Sequence, residues 1–227
     1  MTAPHIGTLR EGALHKGIKE WLARPGDRFE QPVDGYVIDM VRGDLLIEVQ
    51  TGACTPLRDK LTDLLERHRV RLVLPLARTR TIERVDENGA PLSRRRAPWE
   101  GRIEDVFERL VSIPALLAHR RFELEILVTA ERELRARVAG RGRGRRAFGV
   151  RGRALVDVLE RELIRGVTDL LALLPAGLAD PFSTLDLARA AALPRTTAQQ
   201  MVYCLRCAGG LERVGTRARS HLYRRVA

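Results

Sequence analysis

The sequence predicts an α/β (α+β) protein: a mixed sheet core flanked by helices, followed by a small C-terminal unit of helices and a basic hairpin. Three observations carry this expectation. Residues 11–77 switch between helical and strand periodicity in the order helix, three strands, helix, strand. Phe122, Leu124, Ile126 and Val128 alternate with Glu123, Glu125 and Thr129, the pattern of a strand with one buried face. The last third changes to short amphipathic helices separated by turn residues.

The elements follow in order. Leu14, Ile18, Trp21 and Leu22 lie at helical spacing, and Pro25-Gly26-Asp27 ends that helix. Residues 28–33 are extended, and Asp34-Gly35 is a two-residue hairpin signal. Residues 36–41 and 45–50 form the next two strands around a tight turn at Gly43-Asp44. Leu57, Leu61, Leu64 and Leu65 mark a helix, and residues 70–76 a buried strand. Further on, Glu87-Asn88-Gly89 marks a hairpin tip, and Ile103, Val106, Phe107 and Leu110 an amphipathic helix. The expected division is a core at 1–77, a sheet extension or subdomain at 78–140, a basic segment at 141–153 and a C-terminal domain at 154–227.

Composition narrows the function classes. The chain has 227 residues, with 40 Lys and Arg against 29 Asp and Glu, a formal net charge of +11. Only Lys16, Lys19 and Lys60 are lysines, so the basic set is nearly all arginine. Residues 1–77 are neutral, residues 78–150 carry +6 and residues 151–227 carry +5. Arg141, Arg143, Arg145 and Arg146 open a stretch of six Arg and four Gly with no acid, suited to a phosphate backbone. No apolar run approaches the ~18 residues of a membrane span, so no membrane partner is expected. The first ten residues lack a signal-peptide layout, and Cys54, Cys204 and Cys207 make no disulfide framework. A cytoplasmic location is the expectation.

The hairpin at 36–50 carries the chemistry. If Gly43-Asp44 is the turn, Arg42 pairs with Leu45 and Asp39 falls opposite Glu48. Two carboxylates directly across a strand pair repel. Neither has an evident local basic partner in the sequence, and a divalent cation would resolve the conflict, because Mg²⁺ takes one or two carboxylates with phosphate oxygens and water.

The order of elements, with Ile38-Asp39-Met40-Val41 followed by Ile47-Glu48-Val49-Gln50, resembles the PD-(D/E)xK nuclease superfamily over about residues 8–77. The resemblance implies a restriction-endonuclease-like core. It implies that Asp39 and Glu48 bind Mg²⁺ (or Mn²⁺), which activates a water for attack on a phosphodiester. Two departures stand out. The usual Lys two residues after the Glu is Gln50, and the residue before Asp39 is Ile38 rather than Pro. The superfamily's Lys can migrate to the following helix, where Lys60 lies, so either Gln50 or Lys60 is the candidate for that role. Asp34 is a rival to Asp39, already explained as a turn residue. The first helix often supplies an acid to this family's site, and Glu11 or His15 is the candidate here.

In the last third, helices at 167–174, 184–191 and 196–207 precede two strands around Gly215–Ser220, and this order resembles a winged helix-turn-helix. The resemblance implies a DNA partner. Thr196, Gln199, Gln200 and Tyr203 then form the outward face of the recognition helix, with Arg195 beside them and Arg217 and Arg219 on the wing. Cys204 and Cys207 lack a second ligand pair for zinc. Such nucleases are often homodimers, but no heptad or seam in the sequence shows one. Together these readings anticipate a Mg²⁺-dependent DNA endonuclease, or an inactive DNA-binding protein on the same fold.

Overall fold

The computed structural model describes residues 12–86, 88–138 and 148–226. Seven strands form one mixed sheet: β1 (Arg28–Val33), β2 (Tyr36–Arg42), β3 (Leu45–Val49), β4 (Arg69–Val85), β5 (Pro91–Arg96), β6 (Phe122–Arg137) and β7 (Phe148–Ile164). Their spatial order is β1-β2-β3-β4-β6-β7, and β5 pairs with the far half of β4. The pairs β3–β4 and β4–β6 are parallel and the others antiparallel. Parallel neighbours need crossovers. The helix α2 (Arg58–Leu65) carries the chain from β3 to β4, and residues 97–121, with the short helix α3 (Phe107–Leu110), carry it from β5 to β6.

The first hairpin follows its turn chemistry. Asp34 and Gly35 both take positive φ, 48° and 84°, as the tight turn requires. The β2–β3 register pairs Arg42 with Leu45, Val41 with Leu46 and Met40 with Ile47, as the sequence predicts.

Hydrophobic clusters lie on both faces of the near half of the sheet. On one face the helix α1 (Ala13–Leu22) buries Leu14, Ile18 and Leu22 against Met40, Ile47, Val49, Val73 and Leu127. Gly17 allows that helix to sit close to β7, because a Cβ there would lie 3.1 Å from the Leu155 Cβ. On the other face Ile38, Leu46, Leu72 and Leu124 pack with Leu61, Leu64 and Phe107, and the cluster continues without a break into Met201 and Leu205 of the C-terminal unit.

That unit contains α4 (Val167–Leu171), β8 (Phe182–Ser183), α5 (Thr184–Ala190), α6 (Arg195–Cys207), β9 (Leu211–Arg217) and β10 (Ser220–Arg225), with strand order β8-β10-β9. Ser183 and Asp186 form a capping box: the Ser183 hydroxyl accepts from the Asp186 amide at 3.2 Å, and the Asp186 carboxylate accepts from the Ser183 amide at 2.8 Å. The N-cap of α6 is Pro194, and Thr197 is buried. One local expectation fails. The turn between β9 and β10 centres on Ala218 and Arg219, both at positive φ, while Gly215 lies within β9.

The expected division of the chain is also corrected. The boundary between 77 and 78 falls inside β4, and the one between 153 and 154 falls inside β7, which pairs with β6 from Arg137–Phe148 to Leu124–Ile164. Residues 148–153 are therefore strand, whereas composition alone reads them as a basic segment between domains. The apolar alternation that marks a strand is missing there, and cross-strand pairing supplies what the side chains do not.

Candidate functional site

Asp39 sits where the pleat of β2 is broken. Strict alternation would put Ile38 and Met40 on one face. Instead Ile38 packs in the cluster beside α2 and Met40 in the cluster beside α1. Across the β1–β2 pair, between the partners Phe29–Met40 and Gln31–Ile38, lies Glu30 with φ 49°, a left-handed conformation unusual for this residue. Strain of this kind concentrates at functional sites.

The break lets Asp39 reach α1. Its Oδ2 lies 3.0 Å from His15 Nε2 and accepts the Val49 amide at 2.8 Å. Glu48 sits beside it, with Oε1 accepting the Asp39 amide at 3.3 Å. Lys60 Nζ reaches across from α2 to within 2.8 Å of the same oxygen and donates to the Val37 carbonyl at 2.6 Å. Lys19, buried on α1, makes an ion pair with Glu30 and adds positive charge near Asp39. The two carboxylates thus have basic partners from the two flanking helices, both among the sequence candidates: His15 from one and Lys60 from the other.

The electrostatics of the pair are asymmetric. Burial works to raise the Asp39 pKa, but the His15 hydrogen bond and charge, the Val49 amide and the Lys19 charge outweigh it and hold the carboxyl below its ordinary value. Burial and the neighbouring Asp39 charge push Glu48 up to about 7, against the pull of Lys60. One carboxylate is ionised and the other poised to ionise, so an added cation would favour the doubly charged state.

Of the expected site residues, Asp39, Glu48, His15 and Lys60 come together. Gln50 does not turn its side chain to the carboxylates; it donates to the Ala53 carbonyl and closes the loop after β3. Glu11 lies outside the described residues. Asp34 is bound elsewhere, 3.0 Å from His68 and 3.8 Å from Arg67. Lys19 and Glu30 were not anticipated. Lysine rarity was the available signal for Lys19, one of three lysines and one helical turn beyond His15.

The donor chemistry fits a hard divalent cation, because two carboxylates with oxygen donors suffice when phosphate and water complete the shell. Among the described residues no group of three or more His, Cys, Asp or Glu is arranged to hold a metal.

A second concave surface lies in the C-terminal unit. A cavity of about 520 Å³ opens between α6 and the β9–β10 turn, lined by Arg195, Gln199, Tyr203, Arg206, Arg219 and His221 among others. Thr196 is exposed beside it and Gln200 is half-buried. Arg217 is engaged by Asp186. Arg141, Arg143, Arg145 and Arg146 lie outside the described residues. Cys204 is buried and Cys207 exposed, both as free thiols.

No helix is long and apolar enough to cross a membrane among the described residues. A curated protein of Treponema pallidum (strain Nichols), described as an uncharacterized protein, is 32% identical over 123 residues, which is 54% of this chain and 49% of that protein. The chain thus spans about half the length of the curated relative it matches. No solved structure matches it. A family model described as a domain of unknown function (DUF8091) matches residues 12–165, the span from α1 to the end of β7. It covers well over half of the chain, and the protein belongs to that family.

Proposed function

We propose that this chain is a Mg²⁺- or Mn²⁺-dependent DNA endonuclease of the PD-(D/E)xK type. Its sheet core would be restriction-endonuclease-like, and its C-terminal unit a winged helix-turn-helix that holds DNA. The observation that carries the reading is the convergence of Asp39, Glu48, His15 and Lys60 from two adjacent strands and the two flanking helices. The three free cysteines suit a reducing, cytoplasmic setting.

Asp39 and Glu48 would hold the metal. When bound, the metal supplies a polarised water and neutralises charge on the phosphate. The protein's own groups do the rest. The Val49 amide and His15 fix the Asp39 carboxylate. Lys60, 2.8 Å from Glu48, would offer its ammonium to the phosphate oxygens. The α6 face and the β9–β10 turn offer Gln199, Tyr203, Arg195 and Arg219 to the duplex.

The second reading, a DNA-binding protein without turnover, is favoured by one observation: the Gln50 side chain is spent on the Ala53 carbonyl. The two readings separate when the full chain is incubated with supercoiled, linear and branched DNA in Mg²⁺, Mn²⁺ or EDTA. Strand scission in metal alone supports the nuclease. Retained binding with no scission on any substrate supports the second reading.

A further inference from the structure

The far half of the sheet has no part in the site above. We propose that it is a separate DNA-gripping arm, which lies along the phosphates of duplex DNA without reading sequence and so adds a second contact to that of α6. This inference rests on the reading of the chain as a DNA-acting protein.

The arm consists of the outer parts of β4, β5, β6 and β7. Neither main hydrophobic cluster includes a residue from 78–96, 130–138 or 148–153. Every residue of β5 is exposed. Of the arm's apolar side chains Ile82, Val85 and Ala136 are buried, and a ribbon with so few is marginal by pairing alone. Side-chain ion pairs add to its hold. Glu133 sits 3.4 Å from Arg80, 2.7 Å from Arg135 and 3.3 Å from Arg153, and Glu131 lies 3.0 Å from Arg80.

Arg78, Arg96 and Arg132 are paired as well, with Glu160, Glu100 and Glu83, yet the arginines outnumber the acids that meet them. Residues 78–96, 130–138 and 148–153 hold eleven arginines and five acidic side chains, a net +6 out of the chain's +11. Arg95 and Arg151 have no acidic partner among the described residues, and Arg94 meets Glu83 only at 3.5 Å with 72% of its side chain exposed. Fixed like charges on a thin ribbon repel one another, so their retention points to a polyanion that neutralises them. The eight residues 78–85 of β4 span about 26 Å at ~3.3 Å per residue, which matches the axial length of about eight base pairs of duplex DNA. The Arg80 guanidinium also lies 4.9 Å from the Trp99 ring centre, which fixes that side chain at the base of the arm.

The test is the salt dependence of binding to a 30-base-pair duplex in EDTA, by fluorescence anisotropy. The parent is compared with Arg94→Gln/Arg95→Gln/Arg96→Gln and with the matching Arg→Lys triple. The Gln triple is expected to lose at least about tenfold in affinity and about 2–3 from the slope of log K against log salt, equally on unrelated sequences. The Lys triple is expected to keep both, and all three chains to melt together. A Gln triple with the parent's affinity and slope, a loss confined to one sequence, or a parent that binds no duplex at low salt overturns the arm. If the parent still cleaves in Mg²⁺ while the Gln triple is unchanged, the nuclease reading stands and the arm falls. If binding behaves as expected and no substrate is ever cut, the arm stands and the nuclease reading falls.

Discussion

The near and far halves of the sheet are built from the same strands by opposite means. The near half buries apolar side chains on both faces, with one group of charges at the break in the pleat and another where Arg71 meets Glu123 and Glu125. The far half buries few apolar side chains, among them Ile82, Val85 and Ala136, and is tied together mainly by arginine–glutamate pairs. The rigid half can hold two repelling carboxylates together because its packing outweighs their repulsion. The charged half gives up that stability and keeps a surface that a polyanion can use. Stability and charge thus trade along the length of β4 and β6.

Site electrostatics should give the largest effect. Lys60→Met removes the ammonium beside Glu48 and is expected to lower the cleavage rate by about 10²-fold, with duplex binding in EDTA unchanged. Steady-state cleavage and anisotropy measured together check this, and parent-like turnover would remove Lys60 from the machinery.

The contrast in packing comes next. Leu72 is fully buried in the near half, and Leu72→Ala should cost about 2–5 kcal/mol of unfolding free energy. Leu134 is 36% exposed in the far half, and Leu134→Ala should cost under about 1 kcal/mol. Urea denaturation of both variants measures the difference, and equal costs would erase the distinction between the halves.

Glu133→Gln probes the ion-paired arm. Its carboxylate is 3% exposed and serves three arginines, so its loss should cost about 1–3 kcal/mol. The effect is expected in hydrogen exchange of the β6–β7 pair beyond residue 130, with protection around Leu72 and Ile126 unchanged. Uniform loss of protection would mean that the halves unfold as one unit.

The smallest effect concerns pH. Glu48 has a folded pKa raised to about 7 from an ordinary 4.5, so its burial costs nothing below the unfolded value and destabilises as pH rises through 7. Glu48→Gln should therefore raise the melting temperature by roughly 2–4 °C at pH 8 and leave it unchanged at pH 4. Scanning calorimetry at the two pH values reads this directly, and the reverse pattern would contradict the assigned cause.

The sequence shows some of this well and some of it not at all. The Asp34-Gly35 and Gly43-Asp44 turns fix the hairpin register as far as Met40–Ile47, and the break in the pleat of β2 beyond it leaves Asp39 beside Glu48. Helical spacing puts His15 on the face of α1 that carries Leu14 and Ile18. His15 and Lys60 are legible as candidates, but which carboxylate each one meets depends on which helix covers which face, a tertiary fact that local periodicity does not contain. The outer strands were hidden for a different reason. Residues 148–153 look like a loop by composition, and only pairing with β6 makes them strand. Lys19 and Glu30 escaped notice because a buried lysine and a left-handed glutamate both run against residue preference, and it is at such departures that function tends to collect.

Asp39 is the residue on which the proposed cleavage depends most directly. Supercoiled plasmid incubated with the full chain in Mg²⁺ should be nicked or linearised by the parent. Asp39→Asn, at concentrations where the two proteins bind DNA equally, should leave it intact. Equal cleavage by the two chains would contradict the assignment of the β2–β3 carboxylates as the catalytic metal site.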